Sequence, residues 1–281
     1  MGAREHLTVL GAAVRDRVPL GGGAARVTLA DGRTVVVKDG DPAGIAAEAA
    51  GLRWLAAAGG APVPAVLAAD DGRLVTELVP DGAPTARAAE EFGRALARTH
   101  EAGAPAFGAA PPGGPTDARI GAAPMRNAPA PSWPEWYAAD RLLPYLRTAR
   151  DAGTLPAEAA RAVEAVAERL PDLAGPAEPP ARLHGDLWSG NVLWSPAGAV
   201  LIDPAAHGGH RETDLAMLAL FGCPHLPTVL AAYDEAAPLA AGWRERVPLH
   251  QLFPLLVHVV LFGGGYAAQA AHAARAALAA A

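Results

Sequence analysis

One cysteine, Cys223, stands in 281 residues, so neither an internal disulfide nor a cysteine-built zinc site is available. Alone, it reads as a small buried apolar side chain. Basic residues are in the minority, 23 Lys and Arg against 29 Asp and Glu, and no block of them forms a stripe that could track phosphates. Nucleic acid is therefore not an expected partner. No apolar run reaches the roughly 20 residues of a spanning helix. The longest, residues 252–265, is interrupted by Pro254 and His258 and reads as a buried C-terminal helix, so no membrane association is expected. Near the start, Glu5 and Asp16 stand where a secretory signal would be basic and then apolar, and Gly2 lacks the Ser or Thr that myristoylation prefers. A cytoplasmic location is the expectation.

What remains is enough for a core: 51% of residues are apolar and 19% charged. The 31 Gly and 27 Pro are about a fifth of the chain, below the roughly 25–30% typical of low complexity. The length allows one large domain or two lobes sharing a core. Two β-rich runs, residues 26–29 and 34–38, flank the turn pair Asp31-Gly32 and predict an antiparallel hairpin. Asp41-Pro42 then predicts an N-cap with proline in the first turn, opening a helix through Ile45, Leu52 and Leu55 that Gly59-Gly60 ends. A second hairpin is predicted around Asp70-Asp71-Gly72. Residues 1–79 thus read as a small antiparallel lobe with one helix, and residues 80–281 as a larger, mainly α lobe, with helices over 88–101, 133–149, 156–170 and 267–281. The segment 102–131 reads as a long loop, which in a compact domain is usually functional or mobile. Residues 192–203 interrupt the helices with a short hairpin.

The chemistry gathers around that hairpin. His184, Asp186 and Asn191 have the spacing H-x-D-x-x-x-x-N of a phosphotransfer catalytic loop, in which the Asp takes a hydroxyl proton and the Asn coordinates Mg²⁺. Asp203, at the hairpin's far end, takes the other metal-ligating place, since hard oxygen donors suit Mg²⁺ held with nucleotide phosphates. His184 reads as a structural member of the loop. Lys38 ends a strand, while Glu48 shares the apolar face of its helix with Ile45, Leu52 and Leu55. An inward carboxylate needs a partner, and Lys38 is the available cation, giving the pair that orients ATP phosphates. Gly21 and Gly22 precede the first of those β runs and could let backbone N–H groups approach phosphates, although the G-x-G-x-x-G spacing is absent.

The runs 183–191 (Leu-His-Gly-Asp-Leu-Trp-Ser-Gly-Asn), 202–205 (Ile-Asp-Pro-Ala), 209–217 (Gly-His-Arg-Glu-Thr-Asp-Leu-Ala-Met) and 220–222 (Leu-Phe-Gly), with Trp133-Pro134, Gln251-Leu252-Phe253 and Phe262-Gly263, resemble the fructosamine-kinase, or ketosamine-3-kinase, family over nearly the whole chain. The resemblance implies an α+β, two-lobed, protein-kinase-like fold. It also implies use of ATP and Mg²⁺ to phosphorylate the sugar 3-hydroxyl of ketosamines (ribulosamines or fructosamines), a small-molecule substrate, which initiates deglycation. Carried over by position, it makes Asp186 the base, Asn191 and Asp203 the metal ligands, Lys38 and Glu48 the phosphate-orienting pair, and Glu77, Leu78 and Val79 the hinge that holds adenine. Trp188 either packs on the sugar or fills the core beneath the loop; His210 and His258 are candidates for substrate contact. Asp214, at a helix start, reads as a brace of the catalytic loop, and His100 as a core histidine. No cysteine lies near the glycine-rich loop, which excludes the disulfide switch of some relatives. Two other readings stand beside this one: a same-fold kinase of an aminoglycoside or choline-like alcohol, and a non-catalytic nucleotide-binding pseudokinase.

Overall fold

The computed structural model describes residues 6, 7 and 10–280. Six strands form one antiparallel sheet: β1 (His6–Leu7), β2 (Ala12–Gly21), β3 (Ala24–Leu29), β4 (Thr34–Asp39), β5 (Val66–Asp70) and β6 (Arg73–Glu77), in the spatial order β1-β2-β3-β4-β6-β5. Alternation decides the faces. Ala25, Val27 and Leu29 of β3 and Val35 and Val37 of β4 pack with Val75 in one cluster. Lys38 pairs across the ladder with Leu74, and Leu74 packs with Ile45, Ala49 and Leu52 of helix α1 (Pro42–Ala56). Lys38 is thus on the α1 side of the sheet. As expected, Asp41 caps α1, its side chain accepting from the Gly44 N–H at 3.1 Å.

Two differences from the sequence reading matter here. Strand β2 was not expected: its burial is sparse and it carries register shifts near Asp16 and Pro19, so it lacks the alternation that marks a half-buried strand. The segment 102–131 is not structureless either. It folds over the cleft as a hairpin, β7 (Asp117–Ile120) with β8 (Ala123–Arg126), which buries Ala118, Ile120, Ala123 and Met125.

The second lobe is helical, as expected. Besides α2 (Ala86–Glu101) it contains α3 (Trp133–Trp136), α4 (Leu143–Asp151), α5 (Ala157–Leu173), α6 (Glu212–Leu220), α7 (Leu226–Ala236), α8 (Trp243–Phe262) and α9 (Ala267–Ala279). The helix predicted over 133–149 is interrupted: Tyr137–Leu142 is a π-helical turn. Pro144 explains it, because it offers no N–H to the Asp140 carbonyl and its ring crowds that position; the Asp140 carbonyl accepts instead from Arg141 Nη1 at 3.2 Å. Strand β9 (Ala181–Leu183) pairs with β12 (His207–Gly209), and the chain between them makes the loop 184–191 and the hairpin β10 (Val192–Ser195) with β11 (Gly198–Leu201). Among the described residues, no helix is long and apolar enough to cross a membrane. Cys223 is half-buried rather than buried, and burial pushes its thiol up to about 11.

Candidate active site

A cleft of about 500 Å³ is lined from the sheet side by Gly22, Lys38 and Glu48 and from the helical side by Asp186, Trp188, Asn191 and Asp203. The β9/β12 pair brings the helical-side group together by closing the segment from His184 to Ala206 into one loop system. Gly185 has φ +82°, and a Cβ there would run into the Ala205 carbonyl, so the turn before Asp186 requires glycine. His184 is fully buried; its Nε2 donates to the Ile202 carbonyl at 2.9 Å and its Nδ1 accepts from the Asp186 N–H at 3.3 Å. It therefore ties the residue before Asp203 to Asp186 and is structural, as read from the sequence.

Asn191 Nδ2 donates to the Asp186 backbone carbonyl at 2.8 Å and to Asp186 Oδ2 at 3.1 Å. Because only the amide nitrogen can donate to a carbonyl, the orientation of Asn191 is set and its Oδ1 is left to accept or to coordinate. Burial, with the charges of Asp203 and Asp214 adding, lifts the Asp186 carboxyl to about 6 against the opposing Asn191 bond and the Lys38 charge. Such a group is a better proton acceptor than an ordinary aspartate.

Lys38 Nζ lies 2.7 Å from Glu48 Oε2 and 3.0 Å from Asp203 Oδ1. Burial opposes the ammonium, but the two carboxylates outweigh it and raise Lys38. Glu48 is pushed up to about 7 by burial, which the Lys38 charge only partly offsets and the Asp203 charge reinforces. Asp203 adopts a left-handed backbone, φ +52°, uncommon outside glycine and a mark of residues held for function. Its side chain is half exposed, so a carboxylate oxygen is open to the cleft. Hard oxygens from Asp203 and Asn191 on one side, with a lysine beside them, fit a Mg²⁺ ion carried in with nucleotide phosphates.

A profile of the fructosamine kinase family matches residues 17–280. The chain belongs to the fructosamine kinase family. It is 37% identical over 232 residues to a protein of Synechocystis sp. provisionally named a ketoamine kinase, covering 80% of this chain and 75% of that one. A crystal structure from Thermobifida fusca, provisionally named a fructosamine-3-kinase, is 52% identical, covers 96% of this chain and 95% of its own, and superposes with a TM-score of 0.90. A choline kinase from Streptococcus pneumoniae, at 15% identity and a TM-score of 0.61 over 97% of this chain and 96% of that one, shares the protein-kinase-like fold.

Not all of the positions expected from the sequence reach the cleft. Lys38, Glu48, Asp186, Asn191 and Asp203 converge, Gly22 lines the cleft beside them, and Gly21 precedes it at the end of β2 with φ +97°. Glu77, Leu78 and Val79 sit at the end of β6 and do not line this cleft. The Glu77 N–H already donates to the Ala65 carbonyl at 3.1 Å, so that any adenine contact would fall to other groups of this segment. His210 is a correction: it is 3% exposed and packed between Trp133, at 5.0 Å, and His250, at 4.8 Å, so it cannot meet substrate. Burial, foremost, lowers it well below the ordinary histidine value. His258 stands outside the cleft lining but touches Phe221, which in turn meets Trp188 edge-on. Trp188 does not fill the core: it is 40% exposed and folds over Gly190, where a Cβ would collide with the indole.

Sequence reasoning missed Arg119 and Asn127, which line the cleft from around the β7–β8 hairpin. Asn127 is held by a bond from Arg141 Nη2 to its Oδ1 at 2.8 Å, and its buried Nδ2 has no partner among the described residues. The only local signal was the length of the segment that carries them.

Proposed function

We propose that this protein is an ATP-dependent ketosamine-3-kinase of the cytosol, transferring the γ-phosphoryl group of ATP to the 3-hydroxyl of a ribulosamine or fructosamine as the first step of deglycation. The observation that carries it is the convergence of Asp186, Asn191, Asp203 and the Lys38–Glu48 pair in one cleft of a chain that belongs to the fructosamine kinase family. Asp186 accepts the proton of the sugar hydroxyl as that oxygen forms its bond to the γ-phosphorus and the bond to the β,γ-bridging oxygen breaks, releasing ADP. Lys38, fixed by Glu48, orients the phosphates. Gly21 and Gly22 offer backbone N–H groups at the hairpin tip, and the segment Glu77 to Val79 receives adenine. Asn191 and Asp203 are the residues that would hold Mg²⁺, which supplies neutralisation of the phosphate charge.

The test is an ATP-consumption assay over ribulose- and fructose-adducts of simple amines, with phosphorus NMR of the product. Turnover of these adducts with the phosphate on the sugar 3-oxygen is the expected result. Phosphorylation of choline or kanamycin with no turnover of any ketosamine would replace this reading with the same-fold alternative. Nucleotide binding with no transfer to any alcohol would favour the non-catalytic one.

A further inference from the structure

Five aromatic rings leave the cleft in a connected line. Trp188 meets Phe221 edge-on with ring centres 6.3 Å apart; Phe221 is 4.8 Å from His258; His258 is 4.9 Å from Tyr266 and 5.4 Å from Phe262; and Phe262 and Tyr266 are 6.2 Å apart. They come from four separate places: the catalytic loop, the end of α6, the last turns of α8 and the turn before α9. None of the five is buried, and Phe262, 66% exposed, is among the most exposed large apolar side chains of the protein. Scattered exposed apolar residues need no explanation, but a contiguous patch of them marks a binding surface.

Its local chemistry is uniform. Residues 215–224 and 249–266 contain neither Lys, Arg, Asp nor Glu, and neither do residues 187–202 that carry Trp188. His258 Nδ1 donates to the Pro254 carbonyl at 2.7 Å, so its Nε2 is the ring nitrogen left to accept a bond. The line begins at Trp188, two residues from Asp186 and part of the cleft lining. In a ketosamine the amine is on carbon 1 and the reacting hydroxyl on carbon 3, so the amine leaves the sugar within a few bonds of the atom that Asp186 must reach. Whatever the amine carries has to lie beside the catalytic loop. A secondary ammonium needs no carboxylate there, because aromatic faces attract cations through their ring electrons.

We propose that the ring surface of Phe221, His258, Phe262 and Tyr266 is the subsite for the amine-borne group of the substrate, and that it selects ketosamines whose amine carries an uncharged apolar group, an aromatic ring above all. This rests on the ketosamine reading of the cleft. It adds to that reading a second point of recognition, separate from the sugar, and a direction of preference among adducts of the same sugar.

The experiment compares two fructose adducts that share the sugar and differ in the amine, those of methylamine and benzylamine, with the wild type and the Phe262→Ala and Phe262→Leu variants. Phe262 packs in no core cluster, so its replacement does not threaten folding. The wild type should show kcat/KM for the benzylamine adduct about tenfold or more above that for the methylamine adduct, the worth of one well-packed ring at 1.4 kcal/mol per factor of ten. Phe262→Ala should reduce that ratio to about threefold or less, with Phe262→Leu between. Equal kcat/KM for the two adducts in the wild type, or an equal loss on both in Phe262→Ala, overturns the subsite while leaving the kinase reading in place. An equal loss accompanied by a change from dimer to monomer in light scattering would assign the patch to a second copy of this chain and overturn it likewise. If neither adduct is phosphorylated, the ketosamine reading fails and the subsite with it.

Discussion

On the proposed reading, one pair of side chains, Asp186 and Asn191, would serve both proton transfer and the holding of Mg²⁺. The amide of Asn191 is spent on Asp186 through two bonds, which holds the carboxylate in place and turns Oδ1 toward the cleft. Asp186→Asn preserves the shape but removes the proton acceptor. It should lower kcat by about 10²-fold or more while the melting temperature and the affinity for ATP stay near those of the wild type; turnover within a few-fold of wild type would take Asp186 out of the mechanism. The Lys38–Glu48 contact was legible because a carboxylate on an apolar helix face must find a cation, and the 2.7 Å pair bears that out. Its consequence is coupling. Lys38→Ala, Glu48→Ala and the double variant should be non-additive in kcat/KM, the second substitution costing far less than the first, and strict additivity would mean that the pair does not act as a unit. His210 was not legible: its motif neighbours suggested a site, but what decides its role is Trp133, 77 positions away in sequence, and packing over that distance leaves no local mark.

Elements marked by β-rich runs, turn pairs or a capping residue were readable, and elements without such marks were not. Strands β3 and β4 bury every second residue, and α1 announces itself with Asp41-Pro42. Strand β2 lies mostly exposed, and the strands of the β7–β8 hairpin, although they bury every second residue, are four residues each and sit among Ala, Pro and Gly with no β-rich run to mark them. The π-helical turn before Pro144 kept a helical pattern and changed only the hydrogen-bond spacing. Helix α6 illustrates what an element start can do. Asp214, in its first turn where the helix dipole favours a negative charge, accepts from the backbone N–H of His184 at 2.8 Å and of Gly185 at 3.0 Å, and meets His100 Nε2 at 3.1 Å. Burial works against its charge, but the His100 contact, with help from His184 and Gly185, outweighs it and holds the carboxyl below the usual range. Asp214→Ala leaves two buried N–H groups without an acceptor at about 1–3 kcal/mol each. The variant should lose about 2–6 kcal/mol in urea unfolding and lose kcat more than it raises KM for ATP, because the loop carrying Asp186 is released. Asp214→Asn, which keeps one acceptor oxygen, should fall between; a variant with normal stability and normal kcat would show that the loop stands without this brace.

Helix α6 gives Leu215 and Leu218 to one apolar cluster of the helical lobe and α8 gives Leu249, Leu252 and Phe253 to another, and a buried polar tie joins the two helices. Glu212 on α6 takes Arg246 of α8 in a bidentate pair at 2.9 and 2.6 Å, with His250 Nε2 at 3.3 Å and Thr213 Oγ1 bonded to His250 Nδ1 at 2.9 Å. His210, Glu212 and His250 lie close enough together to suggest a metal site, yet both carboxylate oxygens are taken by Arg246 and the two imidazoles pack on Trp133, so the arrangement is an ion pair within the core. Burial alone would raise the Glu212 carboxyl; the close contact with His250 and the two bonds from Arg246 more than reverse that and hold it down to about 2. A carboxyl depressed in the folded protein contributes stability that is complete above its ordinary value near 4.5 and is lost as pH falls through that value toward about 2. Removing one member of such a pair leaves the other charge buried without compensation, at about 3–5 kcal/mol. Glu212→Gln should therefore unfold at a clearly lower urea concentration than the wild type at pH 7 and pH 5, and the gap should narrow at pH 3, where the carboxyl is already protonated in the unfolded wild type while the folded pair with Arg246 is still mostly charged, so that part of its contribution is lost. A gap that stays constant from pH 7 to pH 3 would mean that Glu212 contributes through shape and hydrogen bonding that glutamine does not reproduce, and not through its charge. A gap near zero at pH 7 would mean that α6 and α8 are held by their apolar faces alone.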